Sequence, residues 1–304
     1  MPDQDDPCLA QGIEHYIFEA SLDEGIIRAR NDPFDEVQRS VITDRGVTSP
    51  YKVQALLKAC IHGYMNGASS NPASLIVVDY QLVSLKEGSV FTSVTTSFTF
   101  SDCQSPQSDT AQASAGSAPT VVAYAPFELP VRFNQSTATE SHKTNPELNI
   151  APEFNGISLG GFKFGTESSS SHEQKYFEQG TAGRHFDGDK QIVWWNLIHN
   201  KSQNHGVTPQ FRVAVLVERK TDSKFQANFK IAARGGFGYK IQSLKDKWLY
   251  KTAIDDPIIF DPARPPMGDL EGIEASELGK LKKRERLQGL SMVPGLEILA
   301  QVGN

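Results

Sequence analysis

The sequence predicts an α+β fold: a twisted, mainly antiparallel sheet with one amphipathic helix and a short C-terminal regulatory tail. Three observations carry that expectation. Two long stretches alternate apolar and polar residues, one stretch repeats at helical spacing, and the proline-rich sequence from Asp255 onward cannot continue a regular element. The chain has 304 residues, 38% of them hydrophobic and 22% charged, which is enough to bury a sizeable core.

Residues 49–67 predict the helix. Ser49-Pro50 suits an N-cap followed by a first helical position, and Asn66-Gly67 suits its end. Between them Val53, Leu56, Leu57, Cys60, Ile61 and Tyr64 recur as one apolar face. A long hairpin is expected over 74–101. Ile76, Val78, Tyr80 and Leu82 run outward, Lys86-Glu87-Gly88 turns, and Val90, Val94, Phe98 and Phe100 return among serines and threonines.

Residues 101–119 are small and polar and predict a flexible loop. Residues 120–133 read as a strand that its prolines interrupt. Serine-rich 165–175 reads as a second soft loop, and 192–198, with Trp194 and Trp195, as a strand that puts one indole in the core and one on the surface. A second hairpin is expected over 211–231, turning at Lys220-Thr221-Asp222-Ser223, with a tight turn at Arg234-Gly235-Gly236-Phe237-Gly238. After the linker, residues 274–287 predict a short charged helix and 290–299 an apolar tail that needs a surface to dock on. The expected division is therefore a main domain over 1–254 and a regulatory tail over 255–304.

Charge is unevenly distributed. The formal net charge is −6. Residues 212–251 nevertheless hold ten basic side chains against three acidic ones, and residues 252–277 hold seven acids against one base. That reversal suggests a tail that covers a basic surface. An acidic chain is a poor prior for a nucleic-acid binder, and no nucleic-acid partner is expected.

Catalytic and metal patterns are weak. Cys8, Cys60 and Cys103 form no CxxC pair, and His199 and His205 lack metal-ligand spacing. His185, Asp187 and Asp189 lie in a sequence without the EF-hand pattern. The glycines of 234–238 lack a P-loop ending, and no HExxH occurs. The expectation is a non-enzyme with no metal and no cofactor. The acidic first residues lack the apolar region of a signal peptide, and no apolar run approaches the ~18 residues of a spanning helix, so a cytoplasmic location is expected.

Three segments carry a resemblance: Trp194-Trp195-Asn196-Leu197-Ile198-His199-Asn200-Lys201-Ser202-Gln203, the expected hairpin from Phe211 to Ile231, and Asp255-Asp256-Pro257-Ile258-Ile259-Phe260-Asp261-Pro262. In this pattern, over about residues 30–304, the chain resembles the fungal gasdermin-like proteins. The resemblance implies a pore-forming executioner of regulated cell death or heterokaryon incompatibility, autoinhibited by its tail and activated by a protease. Such a protein would move from the cytoplasm to acidic-phospholipid membranes, assemble with itself and insert β-hairpins.

On that reading Lys52, Lys58, Arg219, Lys220, Lys224, Lys245 and Lys247 are the lipid contacts. The cleavage region is the linker over 251–268, which includes Lys251, Asp255, Asp256 and Phe260. Arms of ~9–11 alternating residues can span a bilayer as barrel strands, and each basic side chain near an anionic leaflet contributes ~1 kcal/mol. The alternative is a soluble β-rich interaction or lectin-like binding protein whose strands stay in a conventional sheet. An enzyme with dispersed residues is a third reading.

Overall fold

A computed structural model describes residues 15–18, 29–31, 37–45, 51–68, 71–103, 118–144, 168–184, 190–203, 205–237, 255–268 and 270–296. Strand accounts for 57% of the structure and helix for 8%, in two sheets with no barrel, so the α+β class with a mainly antiparallel sheet holds.

In chain order the strands are β1 (His15–Phe18), β2 (Val41–Arg45), β3 (Tyr51–Tyr64), β4 (Pro72–Ser84), β5 (Ser89–Asp102) and β6 (Thr120–Ala125). They continue with β7 (Val131–Thr144), β8 (Ser168–Arg184), β9 (Ile192–Ile198), β10 (Gln210–Glu218), β11 (Phe225–Phe237) and β12 (Ile258–Phe260). A five-stranded sheet has the order β2-β3-β4-β10-β6. A seven-stranded sheet has the order β1-β11-β5-β9-β8-β7, with β12 also paired to β11. The sheets stack on a core that includes Tyr80, Phe98, Phe100, Trp195, Phe211 and Phe229, all buried. Tyr80 and Phe211 stack at a centroid distance of 4.4 Å.

Two expectations are corrected here. Residues 51–64 form strand β3 and not a helix. Tyr51, Val53, Ala55 and Leu57 alternate onto the inter-sheet core, a bulge between Leu57 and Ala59 shifts the phase, and Ala59 and Ile61 then face the opposite side. A strand buried on both faces and carrying a bulge gives apolar spacings of three and four residues, which imitate a helix.

Neither long hairpin forms. β4 lies in the five-stranded sheet while β5 lies in the seven-stranded one, and β10 and β11 divide in the same way. The turns are real, as Gly88 at φ 76° illustrates, but each carries the chain across the core as an arch. The apolar sides of consecutive strands therefore face each other through side chains, whereas a ribbon would pair them through backbone bonds.

Two smaller expectations also change. Ser168–Ser171 begin strand β8, and residues 234–237 continue β11 to its end without a tight turn. The interrupted strand at 120–133 is observed as β6 and β7, separated by the cis Ala125-Pro126 bond and by Phe127 at φ 68°. Trp195 is fully buried and Trp194 half-buried, the division expected of the pair. The loop expected over 101–119 and the metal-like sequence at 185–189 fall mostly or wholly outside the described residues.

Candidate functional site

The C-terminal segment forms a third layer. β12 pairs antiparallel with β11, Phe225 opposite Phe260, and the two rings stack at 5.0 Å. The chain then leaves the sheet through an exposed loop at 263–266. Beyond it a kinked 3-10 helix (Ala275–Lys282) and a short helix α1 (Arg284–Gln288) cross the outer face of the five-stranded sheet.

Apolar complementarity explains why the segment lies there. Leu278, Leu281 and Leu287 are buried against Ala59, Ile61, Leu75, Val77, Ala214 and Leu216. Each leucine so covered contributes roughly 1.5–3 kcal/mol before the entropy of ordering is subtracted. Helical spacing supplies the leucines on one side, and the lysines and arginines between them remain exposed.

Both ends of this strap are closed by backbone pairing. β2 stops pairing with β3 at Leu56, and further along that open edge Cys60 exchanges two hydrogen bonds with Met267, at 2.9 and 2.8 Å. β6 stops at Ala214 of β10, and Arg212 then exchanges two with Met292, at 2.7 and 3.1 Å. Val293 is buried in the inter-sheet core just past this second bridge. The strap therefore satisfies edge groups that water would otherwise solvate.

Close backbone approach fixes its height above the sheet. A Cβ on Gly63 would collide with the Ala275 carbonyl oxygen, and one on Gly268, whose φ is 80°, with that of Lys58.

An ionic latch sits where the segment begins. Asp255 pairs with Arg45 at 2.7 Å, with both side chains buried, and its other oxygen accepts from the Ala29 N–H. Arg39 donates to the carbonyls of Asp256 and Pro257. Burial lowers the Arg39 pKa, while Asp255 and Asp256 oppose that shift.

No family model matches the chain, and no curated protein matches it. The case for function therefore rests on this geometry. The expected lipid contacts among the described residues differ in their surroundings. Lys52 pairs with Asp44 at 3.4 Å on the five-stranded sheet, and Lys58 is exposed at the β3 bulge. Lys220 is exposed, and Lys224 pairs with Asp261 at 3.3 Å.

Arg219 is corrected. Its side chain is 3% exposed and donates to the carbonyls of Ala73 and Thr221 and to Asp222, so it cannot reach a lipid headgroup in this state. Lys245, Lys247 and Lys251 lie outside the described residues.

Within the expected cleavage region of 251–268, three named residues are corrected. Asp255 is buried in its ion pair, Asp256 is half-buried and accepts from the Asn31 N–H, and Phe260 is 1% exposed within β12. A protease needs extended, accessible chain, which the strap's approach offers at 263–266. Among the described residues the strap lies on the apolar sheet face, and Lys240, Lys245, Lys247 and Lys251 of the basic stretch it was expected to cover fall outside them. Lys224–Asp261 joins the two charged stretches, and Lys282, beyond the acidic stretch, pairs with Glu218 of the basic one at 3.6 Å.

One further cluster escaped the sequence reading. Cys60 and His62, two apart on β3, meet Gln38 and Ser74, with Cys60 Sγ 3.4 Å from His62 Nε2 and His62 Nδ1 2.7 Å from Ser74 Oγ. Cysteine beside histidine suggests a nucleophile, but burial pushes the thiol up to about 12 and the imidazole down to about 4, Arg219 adding to the latter shift. Both groups are therefore neutral near pH 7. A thiol so held is structural and not reactive.

Proposed function

We propose that this chain is a membrane-permeabilising protein of the pore-forming class, stored in water-compatible form by its C-terminal strap and released by proteolysis. One observation carries the reading: a separate helical layer, joined through an exposed loop, covers the apolar outer face of an otherwise complete sheet. Removing that layer uncovers Ile61, Leu75, Val77 and Leu216 together. Such a contiguous apolar face seeks lipid or another protein surface.

The partners in this proposal are an acidic-phospholipid membrane, an activating protease and further copies of the chain. The functional boundary then falls after Phe260, because β12 belongs to the seven-stranded sheet. The strands once assigned to insertion, β4, β5, β10 and β11, supply the stored core. Their release would dismantle the sandwich.

A protease sequence placed at 263–266 tests the reading. Cutting there is expected to turn a chain inert toward phosphatidylserine or cardiolipin vesicles into one that binds them and releases trapped dye. If neither the intact nor the cut chain binds or leaks, the reading is overturned.

The second reading, a soluble β-rich interaction or lectin-like protein, is favoured by the closed core between the sheets. On that reading cutting the strap lowers stability and produces no leakage.

A further inference from the structure

β7 and β8 form a hairpin ribbon whose two arms lie in the same sheet, and its far half leaves that sheet. β9 pairs with β8 only from Gln179 to Arg184. The pairing of β8 with β7 continues well beyond, from Thr137↔Lys175 to Thr144↔Ser168. Among the described residues no third strand joins that stretch. It therefore projects roughly 25 Å at ~3.4 Å per residue.

The base of the projection is fixed. A register shift between Phe133 and Ser136, with Asn134 at φ 51°, bends β7 at that point. The Asn200 side chain donates to the Asn134 carbonyl and to Ser136 Oγ, both at 2.9 Å. The free part thus leaves a stapled origin. A two-stranded ribbon with no third strand is marginal in water, and it leaves backbone donors and acceptors unpaired along two edges.

We propose that this ribbon is the contact through which a second copy of the chain is added, the β7 edge of one copy pairing with the β8 edge of the next. Three features select a copy of itself as the occupant. The arms are already complementary in register, so a neighbour's β8 arm can repeat outside β7 the pairing seen inside it. Sequence permits the repeat: in the backbone register position 140 (Glu140) pairs with 172 (His172), 143 (Lys143) with 169 (Ser169), 139 (Thr139) with 173 (Glu173) and 137 (Thr137) with 175 (Lys175), so no register pair holds two residues of like charge. Neither arm contains a proline, the residue that commonly blunts an exposed edge.

Head-to-tail addition of this kind closes into a ring when the rotation permits. Both arms are rich in serine and threonine and poor in apolar residues, so the pairing belongs on the aqueous side of an assembly and not against hydrocarbon. The inference deepens the membrane reading and rests on it for the releasing cut.

Two full-length variants test it, Thr139→Cys and Glu173→Cys, each carrying the cleavable 263–266 loop. After cutting, each is oxidised alone and in mixture and resolved on non-reducing gels, and flotation with phosphatidylserine vesicles is measured separately. A mixed disulfide dimer several-fold above that of either variant alone is the expected result. No excess in the mixture overturns the proposal.

A third variant, in which 137–175 is replaced by an Asn-Gly turn, is expected to keep its thermal melt and vesicle binding but to remain monomeric. If it assembles like the parent, the proposal also falls. Cross-linking without flotation sinks the membrane reading and leaves the ribbon contact standing, and flotation of a chain that never cross-links does the reverse.

Discussion

Asp255 Oδ2 lies 2.7 Å from Arg45 Nη2, with side-chain exposures of 3% and 10%, and this pair joins the start of the C-terminal segment to β2. Removing one partner strands a buried charge, which costs more than the pair itself contributes. Asp255→Ala is expected to destabilise the chain by ~3–5 kcal/mol in urea unfolding. The double variant Arg45→Met with Asp255→Leu is expected to recover most of that loss. If the single variant costs under ~1 kcal/mol, the pair behaves like a surface ion pair and is not the latch.

Gly63 lies under the Ala275 carbonyl with no room for a side chain. Gly63→Val is expected to lift the 3-10 helix from β3 at a cost of ~1–3 kcal/mol, the usual range for overpacking. Limited proteolysis at 263–266 should accelerate and binding of a hydrophobic dye should rise, while the near-ultraviolet signal of Trp195 between the sheets is retained. Loss of that signal together with dye binding would mean that the strap and the sandwich unfold as one unit.

Much of the sandwich was legible because period-two alternation marks which side of a strand is buried. The pattern does not say whether the next strand pairs beside the first or crosses to the opposite sheet. Val78 and Phe98 read as one ribbon for that reason, yet they enter the shared core from different sheets. β3 was misread because the strap buries its second face and a bulge at Lys58 breaks the phase.

The strap itself left two signals. The apolar tail expected over 290–299 does find a surface through Val293, whereas Leu278, Leu281 and Leu287 lie in the stretch expected only as a charged helix, and Gly63 within an expected helix was an unheeded sign of close backbone approach. Met267 and Met292 act through backbone bonds, so no side-chain pattern could have marked them.

His62 makes stability depend on pH. Its folded-state pKa is depressed from 6.5 to about 4, first by burial and then by Arg219. Between those values the unfolded chain binds the proton and the folded chain does not, so stability falls as pH drops from 6.5 toward 4. The loss attributable to His62 is on the order of 3 kcal/mol at full expression. Chemical unfolding at pH 7 and pH 4.5 measures it, and His62→Gln should flatten the difference. An unchanged pH slope in that variant would assign the dependence to other groups.

Cys60 and Cys103 should separate by reactivity. Cys60 is fully buried, its thiol is pushed up to about 12, and its backbone is pinned by Met267 at the strap's entry. Cys103 is half-buried just beyond the end of β5, and burial raises its thiol as well. Because the thiolate is the reacting species, alkylation of the native chain near pH 8 should modify Cys103 slowly and leave Cys60 untouched until denaturant is added. After a cut at 263–266, labelling of Cys60 reports whether the strap alone seals it. If Cys60 stays protected, Gln38 and the sandwich core seal it without the strap. If it labels, loss of the Met267 bridge has opened the β3 edge, and thiol labelling becomes a direct measure of strap release.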